Sequence, residues 1–373
     1  MQSIFLCDTI IVKMFPNLLK NFLEFSKNFN VIVFSRGGII MRGVQLLNWK
    51  LKTIEELLPD IHKQGFDTIQ INPMQKFKYD KFFRWWLSYQ PLGFELGNMF
   101  GDKNDLSSLT ATANDKYGIR IITDVVANHA ANANDEDCLM PHETVDESLR
   151  DDVHCWKWPK VLLSDGDDRK KAVSELIGLP GLDLNNEKVK QQALNYLKEL
   201  KDCGVGGFRF DAAKHIGLPS DGVDFFEKVK DFVSQEDLYA YAEFLGGNQK
   251  WRDEFTKYMD LVTGFKTKVS DKNKHVAYIE SHDTYLNNDS HSTRNITISQ
   301  LDGLYDLLTD VYPKTLHYVR ALKYPYLTDG EHVEDFGKPF SSINETEYFD
   351  TSFLDSKRIR ECNEKLLLKR RKS

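Results

Sequence analysis

Short apolar runs alternate with stretches of helical periodicity along most of the chain. Eight runs are predicted as strands, at 43–49, 66–71, 119–126, 205–213, 238–244, 261–265, 276–281 and 315–322. Several are apolar at both odd and even positions, the pattern of strands covered on both faces of a parallel sheet. Eight repeated strand and helix units predict an α/β fold, a (β/α)8 barrel, whose active sites lie where strands end and loops begin.

The segments between these runs predict helices. In the first, apolar residues recur at the spacing of one buried helical face: Ile54, Leu57, Leu58 and Ile61. Thr53 and Glu56 are predicted as a capping box at the start of this helix. Further helices are predicted near 104–117, 189–200, 222–234 and, as the eighth helix of the barrel, 356–370.

The alternation predicts where the chain divides. Residues 131–183 form a polar stretch of about fifty residues, long enough to be an inserted subdomain rather than a loop. The barrel is therefore assigned to 41–130 and 184–373. Residues 1–40 contain apolar runs that charges interrupt before they reach membrane-spanning length, and Asp8 falls where a secretory signal needs apolar residues. They are predicted to be an N-terminal extension of doubtful structure.

Composition and charge exclude several classes of protein. Of 373 residues, 41% are hydrophobic and 28% charged, the proportions of an ordinary globular protein. A net charge of −7 with scattered Lys and Arg argues against nucleic acid or membrane as partner. Five cysteines without C-x-x-C spacing indicate reduced thiols rather than disulfides or a zinc site. A cytoplasmic monomer is expected, with secretion as the alternative location.

Acidic residues stand at or near the ends of four predicted strands. The third strand ends in DVVANH, with Asp124 and His129; Asp211 lies in GFRFDAAKH, Glu243 in AEF and Asp283 in ESHD. Because strand ends meet at one mouth of a barrel, Asp211, Glu243 and Asp283 are predicted to converge. Two carboxylates about 5 Å apart cleave a glycosidic bond with retention. Asp124 is expected to fix loop geometry rather than touch a reacting atom.

The surroundings of two carboxylates predict different roles. Arg209 is two residues before Asp211 and hence on the same face of the strand, where its charge is expected to lower the pKa of Asp211 and keep it ionised as a nucleophile. Glu243 is close in sequence to Tyr241 and Phe244, an apolar setting that favours the protonated form of a general acid.

These motifs resemble those of the α-amylase superfamily of retaining glycoside hydrolases, family 13. The resemblance covers roughly residues 41–370 and is specific, because four motifs follow in the right order at the ends of predicted strands. It implies that Asp211 is the nucleophile, Glu243 the general acid/base and Asp283 the carboxylate that holds sugar hydroxyls in the transition state. It also implies cleavage of α-1,4-glucosidic bonds in starch, glycogen or maltooligosaccharides.

The resemblance extends to residues that would bind the sugar. The segment WWLSYQP is similar to an amylase loop in which Tyr89 would stack on the sugar being cleaved, with Trp86 one subsite further out and Gln90 beside them. Flat aromatic faces suit the apolar faces of pyranose rings.

Charged and imidazole side chains complete the implied substrate site. His129 and His282 resemble the histidines that hold hydroxyls in the same subsite, and Arg209 belongs to the same set. Lys214 and His215, at the end of the fourth-strand motif, favour α-1,4-specific amylases over relatives that act on sucrose or α-1,6 bonds.

The resemblance also implies an ion. Asn128, Asp183 and the backbone carbonyl of His215 match the positions of calcium ligands in many amylases, and hard oxygen donors suit Ca²⁺. Chloride is not expected, because Ser281 stands where chloride-dependent amylases carry an Asn.

Two alternatives to an α-glucan hydrolase stay open. A transglycosylating relative would hand the glycosyl group to a sugar instead of water, through the same carboxylates. A catalytically silent, amylase-like carbohydrate-binding protein usually lacks one or more of the three carboxylates, all of which are present here. The all-β C-terminal domain common in amylases is expected to be absent, because the chain ends just after the eighth predicted helix.

Overall fold

A computed structural model describes residues 41–63, 66–78, 85–133, 140–158, 168–174, 178–263, 267, 269–278, 281–286 and 316–320. The N-terminal extension and the eighth predicted helix lie outside these residues.

Parallel strands close into a barrel. The strands found in the described residues are β1 Met41–Leu46, β2 Thr68–Ile71, β3 Gln75–Phe77, β4 Pro91–Leu96, β5 Arg120–Val125, β6 Gly207–Phe210, β7 Tyr239–Phe244, β8 Asp260–Thr263, β9 His275–Tyr278 and β10 Leu316–Arg320. All but β3 and β4 belong to the barrel, in the order β1, β2, β5, β6, β7, β8, β9, β10, and β10 pairs again with β1. The predicted fold and its eight strands are confirmed.

Helices connect the strands. In the described ranges these are α1 Leu51–Lys63, α2 Lys103–Tyr117, α3 Glu147–Arg150, α4 Arg169–Ser174, α5 Glu187–Asp202, α6 Phe225–Gln235, α7 Gln249–Phe255 and α8 His282–Leu286. The predicted helices that correspond to α1, α2, α5 and α6 are confirmed. The capping box at Thr53 is wrong, because α1 already begins at Leu51 and the amide of Ile54 donates to the carbonyl of Lys50. None of the described helices is both long and apolar enough to cross a membrane.

The alternation of side chains along the strands separates an outer core from the interior of the barrel. On β6, Phe208 and Phe210 are fully buried, and Phe210 meets Phe226 of α6 edge to face at 5.4 Å. Because successive side chains point to opposite faces of a strand, Arg209 between them points into the barrel. Inside, an apolar layer includes Ile122 and Tyr241. Two residues further along the same strands come Asp124 and Glu243, so the polar layer lies towards the strand ends.

Two segments outside the barrel strands lie near the polar layer at the strand ends. The β3–β4 hairpin carries a 3-10 helix, Trp85–Tyr89, where the sequence predicted only a loop. In the stretch after β5, Trp156 bridges to Leu182, the amide of Lys157 donates to the carbonyl of Gly181, and His129 bridges to Gly181. These bridges hold the described part of 140–183 against the loop that follows β5. The boundaries of an inserted subdomain remain a prediction.

Candidate active site

One guanidinium joins three carboxylates at the mouth of the barrel. Nη1 of Arg209 lies 2.9 Å from Oδ2 of Asp124 and 3.1 Å from Oδ1 of Asp211, and its Nη2 contacts Oε1 of Glu243. The other oxygen of Glu243 accepts from the backbone N–H of Ala212 at 3.1 Å. The structure therefore brings the predicted nucleophile and the predicted acid/base together.

Strand register explains this arrangement. Asp124 of β5 is paired with Arg209 of β6, which is paired with Tyr241 of β7, and Glu243 is two residues further along β7 on the same face. After β6 the amide of Asp211 donates to the carbonyl of Val125 at 3.0 Å, which prolongs the pairing by one residue. Then the chain turns sharply.

The turn after Asp211 requires an unusual backbone conformation. Ala212 has a φ of 48°, in the left-handed region that residues with a Cβ rarely adopt. The N–H of the same residue donates to Glu243. Strained residues held by their surroundings are typical of functional sites.

Burial is the largest influence on the pKa of two carboxyls of the cluster, Asp211 and Asp124. Burial and the neighbouring Glu243 carboxylate raise the pKa of Asp211 well above its ordinary value, and Arg209 offsets only part of the rise. The predicted lowering by Arg209 is therefore wrong in its net direction, because removal from water outweighs one attractive contact that is shared with two other carboxylates. Burial likewise raises the pKa of Asp124 to about 6, against Arg209 and two hydrogen bonds that lower it.

The apolar surroundings predicted for Glu243 are also wrong. Phe244 points out of the barrel, where its ring lies 5.0 Å from that of Phe255, and the hydroxyl of Tyr241 donates to Oε1 of Gln70. The carboxylate of Glu243 instead contacts a cation and a backbone N–H. Phe244, the next residue along the strand, faces the other side of the sheet and does not line the site, while Tyr241, two residues before Glu243, shares its face but directs its hydroxyl to Gln70.

Asp124 is fully buried and accepts hydrogen bonds from three elements. Tyr89 donates to its Oδ2 at 2.7 Å, Gln70 donates to its Oδ1 at 2.7 Å, and Arg209 donates to Oδ2. Tyr241 in turn holds Gln70. Asp124 therefore positions both the tyrosine of the 3-10 helix and the guanidinium between the carboxylates.

Two histidines hold the other side of the mouth. The ring of His282 stacks on Tyr89, with centroids 5.3 Å apart and planes inclined by 14°. Gln45 fixes this imidazole, because its Oε1 accepts from the backbone N–H of His282 and its Nε2 donates to Nδ1. Nε2 of His282 then faces Oδ1 of Asp283 at 3.4 Å. His129 donates from Nε2 to the carbonyl of Tyr89 at 2.9 Å, since a carbonyl can only accept.

The remaining predicted residues occupy varied places. Trp86 is half-buried and packs against a small apolar cluster that includes Phe77. Gln90 is buried, and its backbone N–H donates to the carbonyl of Leu87. Lys214 is half-buried. His215 is buried, its Nδ1 donates to the carbonyl of Ala172 in α4, and burial lowers its pKa to about 3.

The implied calcium ligands contact a lysine. Nζ of Lys157 lies 2.5 Å from Oδ1 of Asn128 and 2.6 Å from the carbonyl oxygen of His215. Oδ1 of Asp183 accepts from the amide of Asn185 at 2.9 Å. Within the described residues, no three His, Cys, Asp or Glu side chains form a group that could hold a metal. Calcium takes six to eight oxygen ligands, so a set that already contains an ammonium does not fit it.

Several residues of the site were not predicted from the sequence. Gln45, Gln70 and Tyr241 lie at inward positions of their strands, and a polar group at an inward position was the signal that could have found them. Lys157 lies in the polar stretch, where nothing in the local pattern distinguishes it from a solvated lysine.

The fold and the cluster define a (β/α)8 barrel with a carboxylate-rich mouth, and comparison with known proteins gives its family. The family model "Alpha amylase, catalytic domain" matches residues 49–295, more than half of the chain. The chain therefore belongs to the alpha-amylase catalytic domain family.

Individual relatives agree with this assignment. An alpha-amylase of Clostridium acetobutylicum is 30% identical over 292 residues, which cover 69% of this chain and 37% of that protein. An alpha-amylase-related protein of Drosophila auraria is 30% identical over 185 residues, 46% of this chain and 36% of the relative. The chain thus spans less than half the length of these relatives.

Solved structures share the fold. An alpha-amylase from Malbranchea cinnamomea superimposes with a TM-score of 0.61 at 16% identity, covering 88% of this chain and 77% of that one. A cyclomaltodextrin glucanotransferase gives a TM-score of 0.59 at 17% identity, covering 86% and 71%. At this identity the likeness concerns the fold alone.

Proposed function

We propose that this chain is a retaining glycoside hydrolase that cleaves α-1,4-glucosidic bonds of starch, glycogen or maltooligosaccharides. The observation that carries the proposal is the fork of Arg209, whose two terminal nitrogens contact Asp211 and Glu243. Carboxylates bound to one guanidinium lie a few ångströms apart, compatible with the separation of about 5 Å that retention requires. Family membership and the relatives named alpha-amylase support the choice of substrate.

The proposed reaction proceeds in two displacements. Asp211 attacks the anomeric carbon while Glu243 gives its proton to the leaving glycosidic oxygen, which breaks the glycosidic bond and leaves a glycosyl ester on Asp211. Glu243, now ionised, takes a proton from water as that water attacks the same carbon. The ester bond breaks, Asp211 leaves as a carboxylate, and the sugar keeps its anomeric configuration.

This reaction needs one proton on the carboxylate pair at rest. Burial, and after it the Glu243 carboxylate, raises the pKa of Asp211, so a proton on Asp211 is favoured before substrate binds. Arg209 contacts both, and its charge favours the state in which one of them is ionised.

The proposed sugar-binding residues surround this pair. The ring of Tyr89, backed by His282, would form the platform under the pyranose, with Trp86 and Gln90 from the same segment next to it. His129, His282 and Asp283 would hold hydroxyls. The pKa of Asp211 is raised chiefly by burial and by Glu243 and in small part by the charge of Asp283, which supports the place of Asp283 as the third carboxylate. Lys214 and His215, on the loop after β6, complete the proposed set of substrate-binding residues.

The test compares the native chain with Asp211→Asn on maltoheptaose and soluble starch. Replacing the nucleophile by its neutral isostere is expected to lower the release of reducing ends by at least about 10³-fold. Asp115→Asn, exposed on α2, is the matched control and should keep full activity. NMR of the first product should show the α-anomer. A native chain that binds maltoheptaose without cleaving it would contradict hydrolysis and favour the silent binder, and longer products would favour the transglycosylase.

A further inference from the structure

Lys157 brings a positive charge to a buried junction between two loops of the barrel mouth. The side chain is only 9% exposed. Its backbone is fixed by the hydrogen bond from its N–H to the carbonyl of Gly181 and by the neighbouring bridge between Trp156 and Leu182. The lysine stem therefore enters the junction from a segment that is itself held in place.

The ammonium binds one oxygen from each loop. Oδ1 of Asn128 comes from the loop after β5, which also carries His129, and the carbonyl of His215 comes from the loop after β6, which also carries Asp211. An ammonium has three N–H donors and no acceptor, so it can join separate oxygens as a small cation does. Hydrogen bonds from a charged donor are stronger than those between neutral groups.

We propose that the Lys157 ammonium replaces the structural calcium at this junction, so that the fold of this chain is independent of calcium. The two oxygens that the resemblance implies as calcium ligands are the two that Lys157 binds. The implied carboxylate, Asp183, accepts instead from the amide of its own turn at Asn185. A divalent cation within reach of the same oxygens would lie within a few ångströms of the ammonium and be repelled by it.

The first experiment measures calcium on the native chain of 373 residues, and it does not depend on enzymatic activity. The protein is dialysed against EDTA, then against millimolar calcium, and its metal content and thermal unfolding are measured in each state. Bound calcium would raise the Tm by mass action. We expect the protein to bind less than one equivalent of calcium, and we expect the same Tm after dialysis against EDTA and after dialysis against calcium. A full equivalent of bound calcium together with a higher Tm would overturn the proposal.

The second experiment removes the charge. Lys157→Met keeps a long stem but leaves Asn128 and the carbonyl of His215 without the charged donor, so we expect the Tm to fall by several degrees, with or without calcium. Lys188→Met, an exposed lysine of α5, is the matched control and should change the Tm much less. An unchanged Tm in Lys157→Met would overturn the proposal. If this variant does not fold, the calcium measurement on the native chain decides alone.

Discussion

Tyr89 and Arg209 donate to the same oxygen of Asp124, at 2.7 and 2.9 Å. The aromatic ring proposed to carry the sugar and the guanidinium between the proposed catalytic carboxylates are therefore coupled through one buried atom. A shift of either donor alters the hydrogen bonding available to the other. The geometry of the sugar platform and the charge of the cluster are thus set together.

A continuous series of hydrogen bonds extends this coupling to the junction at Lys157. Lys157 donates to Oδ1 of Asn128, whose Nδ2 lies 3.3 Å from Nδ1 of His129. His129 donates from its other nitrogen to the carbonyl of Tyr89. The lysine fixes which end of the Asn128 amide faces the imidazole, and so it favours the tautomer of His129 that can hold Tyr89.

The loss of activity caused by removing the Tyr89 hydroxyl should be distinguishable from the loss caused by removing its ring. Tyr89→Phe keeps the ring and loses one hydrogen bond to a buried carboxylate, so kcat/KM on maltoheptaose should fall about tenfold. Tyr89→Ala also loses the ring under the sugar, so its kcat/KM on maltoheptaose should be lower by about 10²-fold or more. Steady-state kinetics on both variants, with Tyr117→Phe on α2 as control, provides the check. Equal losses in the two variants would exclude a stacking role for the ring.

Arg209 should be essential to the stability of the folded chain. Arg209→Met leaves the buried carboxylates of Asp124, Asp211 and Glu243 without their shared cation, and breaking such a buried pair typically costs about 3–5 kcal/mol. Arg209→Lys keeps the charge but loses the fork, so an intermediate loss is expected. Urea unfolding measures both.

The control for Arg209 is a surface pair. Lys52, which is 77% exposed, lies 3.5 Å from Asp105, and Lys52→Met should change the unfolding free energy by less than about 0.5 kcal/mol. If Arg209→Met were as stable as this control, the cluster would not hold the barrel mouth together.

The sequence predicted the barrel because apolar periodicity is a local property. The buried face of α1 and the apolar run of β5 are each complete within a dozen residues. The carboxylates were predicted because they follow strands whose ends must meet. The direction of the pKa shift of Asp211 was not predicted correctly. It depends on burial and on Glu243, and only the closed barrel brings these together.

The role of Lys157 could not be predicted from local sequence patterns. Its role depends on a bridge between Trp156 and Leu182 that joins segments separated by a polar stretch. No pattern within that stretch fixes which residues face Asn128. Family resemblance implies a calcium ion at these two oxygens, and it carries no information about the Lys157 ammonium that contacts both of them in the structure.

Arg169 should fasten α4 to the loop after β6. Its Nε and Nη2 bind Asp221 at 3.0 and 2.7 Å, and it donates to the carbonyls of Lys214 and Ile216 at 2.8 and 3.0 Å. Arg169→Lys keeps the charge but cannot serve all of these oxygens, so we expect a loss of about 2–3 kcal/mol in urea unfolding. Faster proteolysis near Lys214 should accompany it. A variant as stable as Lys52→Met would contradict this fastening role.

The stability of the chain should depend on pH through Asp124. Its carboxyl has a pKa of about 6 when folded and an ordinary value of 3.8, so the folded state binds the proton more tightly. The contribution of this proton to stability is complete below pH about 4 and is lost as the pH rises through about 6. Two pKa units correspond to about 3 kcal/mol.

Comparison with Asp124→Asn isolates this effect, because the variant lacks the titrating group. The difference in unfolding free energy, native minus variant, should fall by about 2.4 kcal/mol between pH about 4 and about 7. Asp115→Asn controls for an exposed carboxyl. The hydrogen bond from Tyr89 lowers the pKa of Asp124, so in a Tyr89→Phe background the midpoint of this fall should move above pH 6. A difference that grows with pH would instead mean that Arg209 outweighs burial at this carboxyl, and that Asp124 is ionised across the whole range.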